Sequence, residues 1–199
     1  MKNLELSASE PLAVVVLAAG HGKRMGGQTP KVLVDLYGTP IIGHVLESVI
    51  ALDPQKIICV VGFEAKLVEK TVREQAKLHG RDDILFALQP EPRGTGDALR
   101  SALKDLKDFT GTVLIVCGDV PLVTSASLEK FLKAHFSKKS CVSFISQRLL
   151  IPGSYGRVLR DSDSGEVLAI REAKDCTEKE LLVDEINSGI YAVDSSFLA

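Results

Sequence analysis

The sequence predicts an α/β protein with a doubly wound, mixed and mostly parallel sheet, helices on both faces and a small β-hairpin insertion. Two observations support this prediction. Short apolar segments alternate with amphipathic helical segments from residue 13 to residue 146. After residue 147 the alternation is replaced by two short strand-like segments around a polar turn, which is typical of an inserted hairpin. A chain of 199 residues is long enough for one such domain with a substantial core.

The individual strands and helices follow from the hydrophobic pattern. Strands of a parallel sheet are buried on both faces, so they are expected to be nearly continuous apolar runs. Such runs occur at 13–17, 56–62, 84–89, 113–117 and 141–146. Apolar residues repeat at helical spacing within 41–50, 64–79, 98–106 and 128–135. The inserted hairpin is predicted at 157–160 and 167–170, and a further strand at 185–193.

Composition excludes several classes of function. The 24 Lys and Arg residues nearly balance the 26 Asp and Glu residues, and a net charge of −2 gives no basic field for nucleic acid or an anionic membrane. No apolar run reaches the roughly 18 residues of a membrane span, and the N-terminus lacks the apolar core of a signal peptide. The four cysteines form no C-x-x-C pair, which argues against a zinc or redox site. We expect a cytoplasmic protein whose residues 1–11 form a polar, flexible arm.

A glycine-rich loop with three cations follows the first predicted strand. From Leu17 to Lys31 the sequence is LAAGHGKRMGGQTPK, which also contains Lys23 and Arg24. Glycine lets backbone N–H groups point at an anion, and three positive charges favour a polyphosphate over a carboxylate. The loop matches neither the dinucleotide fingerprint, because Met25 replaces the third glycine, nor the nucleoside-triphosphatase motif. The alternative is a solvated turn with a few surface lysines.

A single aspartate follows another buried strand. In the segment VLIVCGDVPL the strand ends at Gly118, which brings Asp119 to the carboxyl end of the sheet. A lone carboxylate at that position can hold Mg²⁺ against substrate phosphates. The alternative is an aspartate that caps the turn before Pro121, but the expected proximity of the cationic loop favours the metal.

A second glycine turn, QPEPRGTGDA at 89–98, lies between a predicted strand and a predicted helix. The amide of Gln89 can both donate and accept, which suits a pyrimidine edge, and Gly94 lets the backbone approach a flat base. Capping of the helix by Thr95 or Asp97 is the alternative, although it explains neither Gln89 nor Gly94. The turn is therefore a candidate site for uracil.

Three later motifs are weak evidence of function individually, but the order in which they follow one another along the chain is informative. They are GSYGR at 153–157, IREAKD at 170–175 and EINSGI at 185–190. Together with L-A-A-G-x-G-x-R-M, P-K-V-L, the 89–98 turn and G-D-V-P-L, they resemble the uridylyltransferase domain of the bacterial N-acetylglucosamine-1-phosphate uridylyltransferases. The resemblance runs from about residue 13 to residue 199. It implies a Rossmann-like fold of the nucleotide-diphospho-sugar transferase type.

The resemblance also implies a role for each matching residue. The nucleoside would be bound by Leu17, Ala18, Ala19, Gly20 and Gly22, and the uracil by Gln89, Gly94 and Thr95. The triphosphate would be held by the catalytic residues Arg24 and Lys31, and Mg²⁺ by Asp119. The amino sugar would contact Gly156, Glu172 and Asn187.

The implied reaction transfers a uridylyl group from UTP to N-acetylglucosamine 1-phosphate and gives UDP-N-acetylglucosamine and pyrophosphate. Such an enzyme would serve cell wall biogenesis, in peptidoglycan and lipopolysaccharide synthesis. The transferase domain is expected to start at residue 12 and to be truncated at residue 199, because the family's second metal ligand and its β-helix acetyltransferase domain would follow. The alternatives are a transferase acting on methylerythritol phosphate or a molybdenum cofactor, and a nucleotide-binding module without turnover. The sequence indicates no oligomeric state.

Overall fold

The computed structural model describes residues 10–20 and 29–198. They belong to two compact units, one of Met1–Val142 with Ala192–Ala199 and the other of Ser143–Tyr191. The predicted arm at 1–11 lies largely outside the described residues, as do Gly22 and Arg24 of the glycine-rich loop. In the described part of the chain, no helix is long and apolar enough to cross a membrane.

The first unit alternates strands and helices along the chain. Its elements are β1 (Leu12–Leu17), a 3-10 turn (Lys31–Leu33), β2 (Asp35–Leu36), β3 (Thr39–Pro40), α1 (Ile41–Ile50), β4 (Lys56–Val61), α2 (Ala65–Leu78), β5 (Leu85–Leu88), α3 (Thr95–Leu106), β6 (Thr112–Cys117) and α4 (Ser125–Lys138). The strands β5, β4, β1 and β6 form a parallel sheet in that order. Val14, Val15 and Val16 of β1 have no exposed surface, as expected for a central parallel strand covered on both faces.

The strand register brings the carboxyl ends of the parallel strands to one edge. Leu17 of β1 lies opposite both Val60 of β4 and Cys117 of β6, and Val61 lies opposite Leu88 of β5. The segments that follow β1, β5 and β6 therefore leave the sheet side by side. These are the three segments in which the sequence predicts a phosphate, base and metal site.

Helices cover both faces of this sheet, as predicted. The connections β1–α1–β4 and β4–α2–β5 run in one direction across the sheet, and β5–α3–β6 runs in the other. Because such crossovers are right-handed, α1 and α2 lie on one face and α3 lies on the opposite face. The contacts agree, since α1 packs against α2 and α3 packs on β5, β4 and β1.

The second unit is built from antiparallel strands. Its elements are β7 (Val142–Arg148), β8 (Arg157–Arg160), β9 (Val167–Arg171), a 3-10 turn (Ala173–Asp175), α5 (Glu178–Leu181) and β10 (Glu185–Asp194). β8 pairs with β9 as the predicted hairpin, and β10 pairs with both β8 and β7. In the turn of the hairpin, the carboxylate of Asp161 accepts from the backbone N–H of Ser164 at 2.8 Å. The inserted hairpin is thus confirmed.

A buried carboxylate ties three strands of the second unit together. Glu185 of β10 is 6% exposed and accepts from Ser146 Oγ of β7 at 2.6 Å. It also accepts from Arg160 Nη2 and Nε of β8, at 2.7 and 2.8 Å. These hydrogen bonds, with Arg160 contributing most, outweigh burial and lower the pKa of Glu185 to about 2.

Candidate active site

The carboxyl edge of the parallel sheet opens into a cleft of about 290 Å³ in the first unit. Most of the predicted nucleotide and metal residues that are described line it: Leu17, Ala19, Gly20, Lys31, Gln89, Gly94, Thr95 and Asp119. Four other residues complete the described lining, namely Val32, Pro92, Ala98 and Cys117. The structure therefore brings together residues that three separate segments of the sequence contribute.

The backbone that follows β1 is held close to the neighbouring strand. Ala18 N donates to Val60 O at 2.8 Å, and Ala18 itself is buried. A Cβ at Gly62 would lie 2.9 Å from Ala19 O, so only glycine fits there. At Gly20 no heavy atom of the described residues lies within 4 Å of a built Cβ. The main chain that leads into the glycine-rich loop is therefore held in place by β4 and the segment that follows it.

Lys31 and Asp119 meet in the cleft. Lys31 Nζ donates to Asp119 Oδ2 at 2.8 Å, and the two side chains are 40% and 38% exposed. Asp119 is positioned through Gly118, whose N–H donates to Leu17 O at 2.8 Å. A Cβ at Gly118 would lie 2.8 Å from Ile42 Cδ1 of α1 and 3.1 Å from Leu17 O of β1, so glycine avoids crowding at this close approach. The predicted phosphate cation and the predicted metal carboxylate are direct partners.

The donors around Asp119 are compatible with a hard divalent cation. No group of three or more His, Cys, Asp or Glu side chains that could hold a metal occurs among the residues described. Mg²⁺ does not need such a cage, because it commonly uses one or two carboxylates while water and substrate phosphates complete its coordination. Within the described part of the chain, Asp119 Oδ1 has no hydrogen-bond partner. This oxygen at the cleft fits a cation shared with phosphates.

Gln89 lies at the end of β5 and is 5% exposed. Its backbone N–H donates to Val61 O at 2.8 Å, and its side-chain Nε2 donates to Gly94 O at 3.2 Å and to Asp97 Oδ2 at 3.0 Å. The capping alternative is wrong, because α3 has no side-chain cap and begins directly at Thr95 after Gly94 at φ +109°. Asp97 instead receives the amide of Gln89. No feature of the sequence pattern predicts this contact.

Cys117 lines the cleft but is not suited to act as a nucleophile. Burial, together with the nearby charge of Asp119, raises the pKa of its thiol to about 11, although Lys31 acts in the opposite direction. The thiol is therefore protonated at neutral pH. Its surroundings therefore do not activate Cys117 as a thiolate nucleophile.

The predicted amino-sugar residues come together in the second unit. Asn187 N donates to Gly156 O at 2.9 Å, and a Cβ at Gly156 would lie 3.8 Å from Glu172 Oε1. The side chain of Asn187 donates from Nδ2 to Tyr191 Oη at 2.6 Å. Tyr191 was missed by the sequence analysis, because an aromatic residue in a predicted strand carries no signal beyond packing.

A buried arginine orders the loop that leads to Gly156. Arg157 is 3% exposed and donates to Gly153 O at 3.1 Å and to Tyr155 O. A third backbone acceptor is Leu181 O at the end of α5, 3.5 Å from Nη2. The loop carbonyls thus point inward to one guanidinium, which fixes the backbone on the N-terminal side of Gly156.

The chain is similar to curated proteins along nearly its whole length. It is 42% identical over 198 residues to the bifunctional protein GlmU of Thermobifida fusca strain YX, with 98% of this chain and 40% of that protein covered. It is 40% identical over 198 residues to the bifunctional protein GlmU of Streptomyces avermitilis, with 98% and 39% covered. The chain thus spans about two fifths of the length of these relatives. The family resemblance indicated by the motifs is confirmed.

Two solved structures share the fold. A Bacillus anthracis protein assigned as a glucose-1-phosphate thymidylyltransferase, in complex with a sucrose, superimposes with a TM-score of 0.73 at 18% identity over 93% of this chain and 72% of its own. HddC from Yersinia pseudotuberculosis, complexed with GMP-PN, gives a TM-score of 0.67 at 24% identity, with 92% and 77% covered. At these identities the likeness establishes the fold alone, and it confirms the predicted α/β class.

The family model described as "MobA-like NTP transferase domain" matches residues 14–173. The match includes β1 from Val14 onward, Lys31, the turn at Gln89 and Asp119. Because it covers well over half of the sequence, the chain belongs to the family of MobA-like NTP transferase domains.

Proposed function

We propose that this chain transfers a uridylyl group from UTP to N-acetylglucosamine 1-phosphate, forming UDP-N-acetylglucosamine and pyrophosphate. The observation that carries the proposal is the meeting of Lys31, Asp119 and Gln89 in one cleft at the carboxyl edge of the sheet. The similarity to the two GlmU proteins over 98% of the chain supports the same substrate class.

The nucleoside half of UTP lies, in this proposal, against the backbone from Leu17 to Gly20 and Gly22, and against the turn at Gly94 and Thr95. The fixed main chain at Ala18 and the space that the described residues leave at Gly20 support this placement. Gln89 is buried at the end of β5, where it borders the same cleft. Its amide recognises the uracil edge.

The triphosphate is neutralised by Arg24 and Lys31. A phosphate oxygen of the sugar 1-phosphate attacks the α-phosphorus of UTP in line, forming the new P–O bond as the bond from the α-phosphorus to the oxygen bridging the β-phosphorus breaks. The electron pair of the broken bond leaves with pyrophosphate, whose growing charge the two cations stabilise. The attacking phosphate is already ionised, so the step needs neither a general base nor a protein nucleophile. A protonated Cys117 is consistent with such chemistry.

Nucleotidyltransferases generally depend on a metal ion, and we assign Asp119 as the residue that holds Mg²⁺ in this chain. When bound, Mg²⁺ supplies positive charge beside the phosphates and helps to orient them. Asp119 Oδ2 accepts from Lys31 in the structure, so the carboxylate that would hold Mg²⁺ and the ammonium group that would contact the phosphates are adjacent. Lys31 and Asp119 would then act on the same triphosphate.

The sugar is recognised by Gly156, Glu172 and Asn187 of the second unit. A carboxylate accepts from sugar hydroxyls, and a backbone without a side chain at Gly156 allows close approach. We further infer that residues 12–199 act as the transferase domain, in the cytoplasm. The product would supply peptidoglycan and lipopolysaccharide synthesis in cell wall biogenesis.

The proposal is tested by a pyrophosphate-release assay with UTP, N-acetylglucosamine 1-phosphate and Mg²⁺. Release should require all three components, and UDP-N-acetylglucosamine should form in equal amount. A thermal-shift series with UTP, CTP, dTTP and ATP distinguishes binding from turnover, because a nucleotide at 100 times its Kd adds about 2.7 kcal/mol of stability. Stabilisation by UTP without pyrophosphate release would indicate a binding module instead. Release with another sugar or alcohol phosphate alone would contradict the assigned acceptor.

A further inference from the structure

Two acceptors fix the orientation of the Gln89 amide. Its nitrogen Nε2 lies 3.2 Å from Gly94 O and 3.0 Å from Asp97 Oδ2. A backbone carbonyl and an ionised carboxylate can only accept hydrogen bonds. Turning the amide by 180° would place Oε1 against these two oxygens, and three acceptors would then face one another without a hydrogen. Only the orientation with Nε2 between the two oxygens forms both hydrogen bonds.

This orientation decides what Gln89 offers to a ligand. Both protons of Nε2 are used by Gly94 and Asp97, and Oε1 has no hydrogen-bond partner among the residues that the structure describes. Gln89 lines the cleft while its backbone is anchored to Val61 at the end of β4. The polar atom that Gln89 has left for a ligand in the cleft is therefore the acceptor Oε1, and not the donor Nε2.

We propose that Asp97 is a positioning residue for base selection, because it holds Gln89 with Oε1 available to the base. Uracil carries an N–H donor at ring position 3, which matches this acceptor. Cytosine carries a lone pair at the same position, which opposes it. A polar group left without its partner in a buried site is disfavoured, so the mismatch favours UTP over CTP. The inference rests on the proposed binding of UTP in this cleft and adds the residue that sets the choice of base.

Asp97 also lies in the first turn of α3, where a negative charge stabilises the helix N-terminus. This structural contribution does not depend on Gln89. A positioning role does, since Asp97 can influence the base only through the amide that it holds. The two roles are therefore separated by removing Gln89.

The experiment compares the full chain with Asp97→Asn, Gln89→Ala and the double variant. The amide that Asp97→Asn introduces can accept or donate, so only Gly94 O is left to hold the Gln89 amide with Oε1 toward the base. The matched control is Glu91→Gln, an exposed carboxylate in the same turn that pairs with Arg93. Calorimetry measures the Kd of UTP, CTP and 3-methyluridine triphosphate, which lacks the N–H donor, and thermal unfolding confirms the fold of each variant.

We expect Asp97→Asn to lower the preference for UTP over CTP about tenfold, with no such change in Glu91→Gln. In the Gln89→Ala background the same substitution should leave the preference unchanged. An Asp97→Asn variant that keeps the wild-type preference, or that lowers it equally with and without Gln89, would overturn the assignment. If Asp97→Asn does not fold, Asp97→Ser is measured with the same criteria. A wild-type chain that binds neither nucleotide would instead refute the proposed function, and the assignment with it.

Discussion

Lys31 and Asp119 are 88 positions apart in the sequence, yet Lys31 Nζ lies 2.8 Å from Asp119 Oδ2 in the cleft. Both side chains are about two-fifths exposed, and ion pairs of this kind contribute at most about 1 kcal/mol to stability. Replacing either residue is therefore expected to change ligand binding and turnover much more than folding.

Asp119→Asn should reduce Mg²⁺-dependent pyrophosphate release at least tenfold, because the substitution retains the size of the side chain but removes the anion. The free energy of unfolding should change by less than about 1 kcal/mol. Turnover is measured over a Mg²⁺ titration and stability by denaturant unfolding. Asp82→Asn, at an exposed position away from the cleft, is the matched control and should leave both quantities unchanged.

Lys31→Met should lower kcat/KM for UTP about a hundredfold, because a cation that stabilises charge on the departing pyrophosphate is lost. Lys31→Arg keeps the charge and should lose less. Steady-state kinetics of both variants are compared with Lys66→Met, which removes an exposed lysine of α2. Equal rates for Lys31→Met and Lys66→Met would show that Lys31 is a surface cation.

Gly94→Ala should destabilise the protein by about 2 kcal/mol, since a φ of +109° is nearly restricted to glycine. No heavy atom of the described residues lies within 4 Å of a Cβ built at either Gly94 or Gly96, so none of them clashes with an alanine at either position. Gly96 lies inside α3 without a positive φ, and Gly96→Ala should be neutral or stabilising by up to about 1 kcal/mol. Urea unfolding of Gly94→Ala and Gly96→Ala therefore separates the cost of backbone strain at a positive φ from the general effect of replacing glycine by alanine. Similar costs for both variants would contradict the strain argument.

Glu185→Gln should remove an acid-sensitive part of the stability. The pKa of Glu185 is lowered from 4.5 to about 2, so its contribution is complete above about pH 4.5 and is lost as the pH falls toward 2. The variant should lose on the order of 2–3 kcal/mol at pH 7 and much less near pH 2. Unfolding free energies from pH 7 down to the lowest pH at which the protein folds provide the measurement. Glu166→Gln replaces an exposed carboxylate in the same hairpin, and its unfolding free energy should depend on pH in the same way as that of the wild type.

Cys117 should resist alkylation by iodoacetamide at pH 7.5. With a pKa of about 11, only about one thiol in three thousand is ionised at that pH. Cys141 is exposed and should be modified first, as peptide mass spectrometry would show. Cys117→Ser should retain at least about half of the activity, because the mechanism uses no thiolate. Rapid labelling of Cys117 with matching loss of activity would argue for a thiolate in the cleft.

The parallel part of the fold could be predicted because its signal is strong. β1, β4 and β6 are uninterrupted apolar runs, and their observed bounds agree with the predicted ones within a residue. Helix starts were less accurate. α3 begins at Thr95 and α4 at Ser125, in each case three residues before the predicted apolar stretch. The first turns of these helices are largely polar, so the periodic repeat of apolar residues does not reveal them.

Short elements and individual side-chain contacts were not predicted. The hairpin of β2 and β3 turns at Tyr37 and Gly38, both at positive φ, and Tyr-Gly is not one of the usual signals for such a turn. α5 has four residues and depends on the capping box of Thr177 and Glu180. The contact of Asp97 with Gln89 was missed for another reason. Its residue types also suit a helix cap, and only the three-dimensional arrangement shows which atoms meet.

The boundary between the two units cuts through β7 and β10, and this matters for the construction of chimaeric proteins. The boundaries at Val142/Ser143 and Tyr191/Ala192 both fall inside strands, not in loops. A segment exchanged at these points must preserve length to the residue, because a slip of one position turns every later side chain to the opposite face of its strand. Exchanges of acceptor specificity between transferases of this fold should therefore be spliced in the loops, such as at the exposed Leu150 and Ile151 between β7 and β8, where added or missing residues leave the register intact.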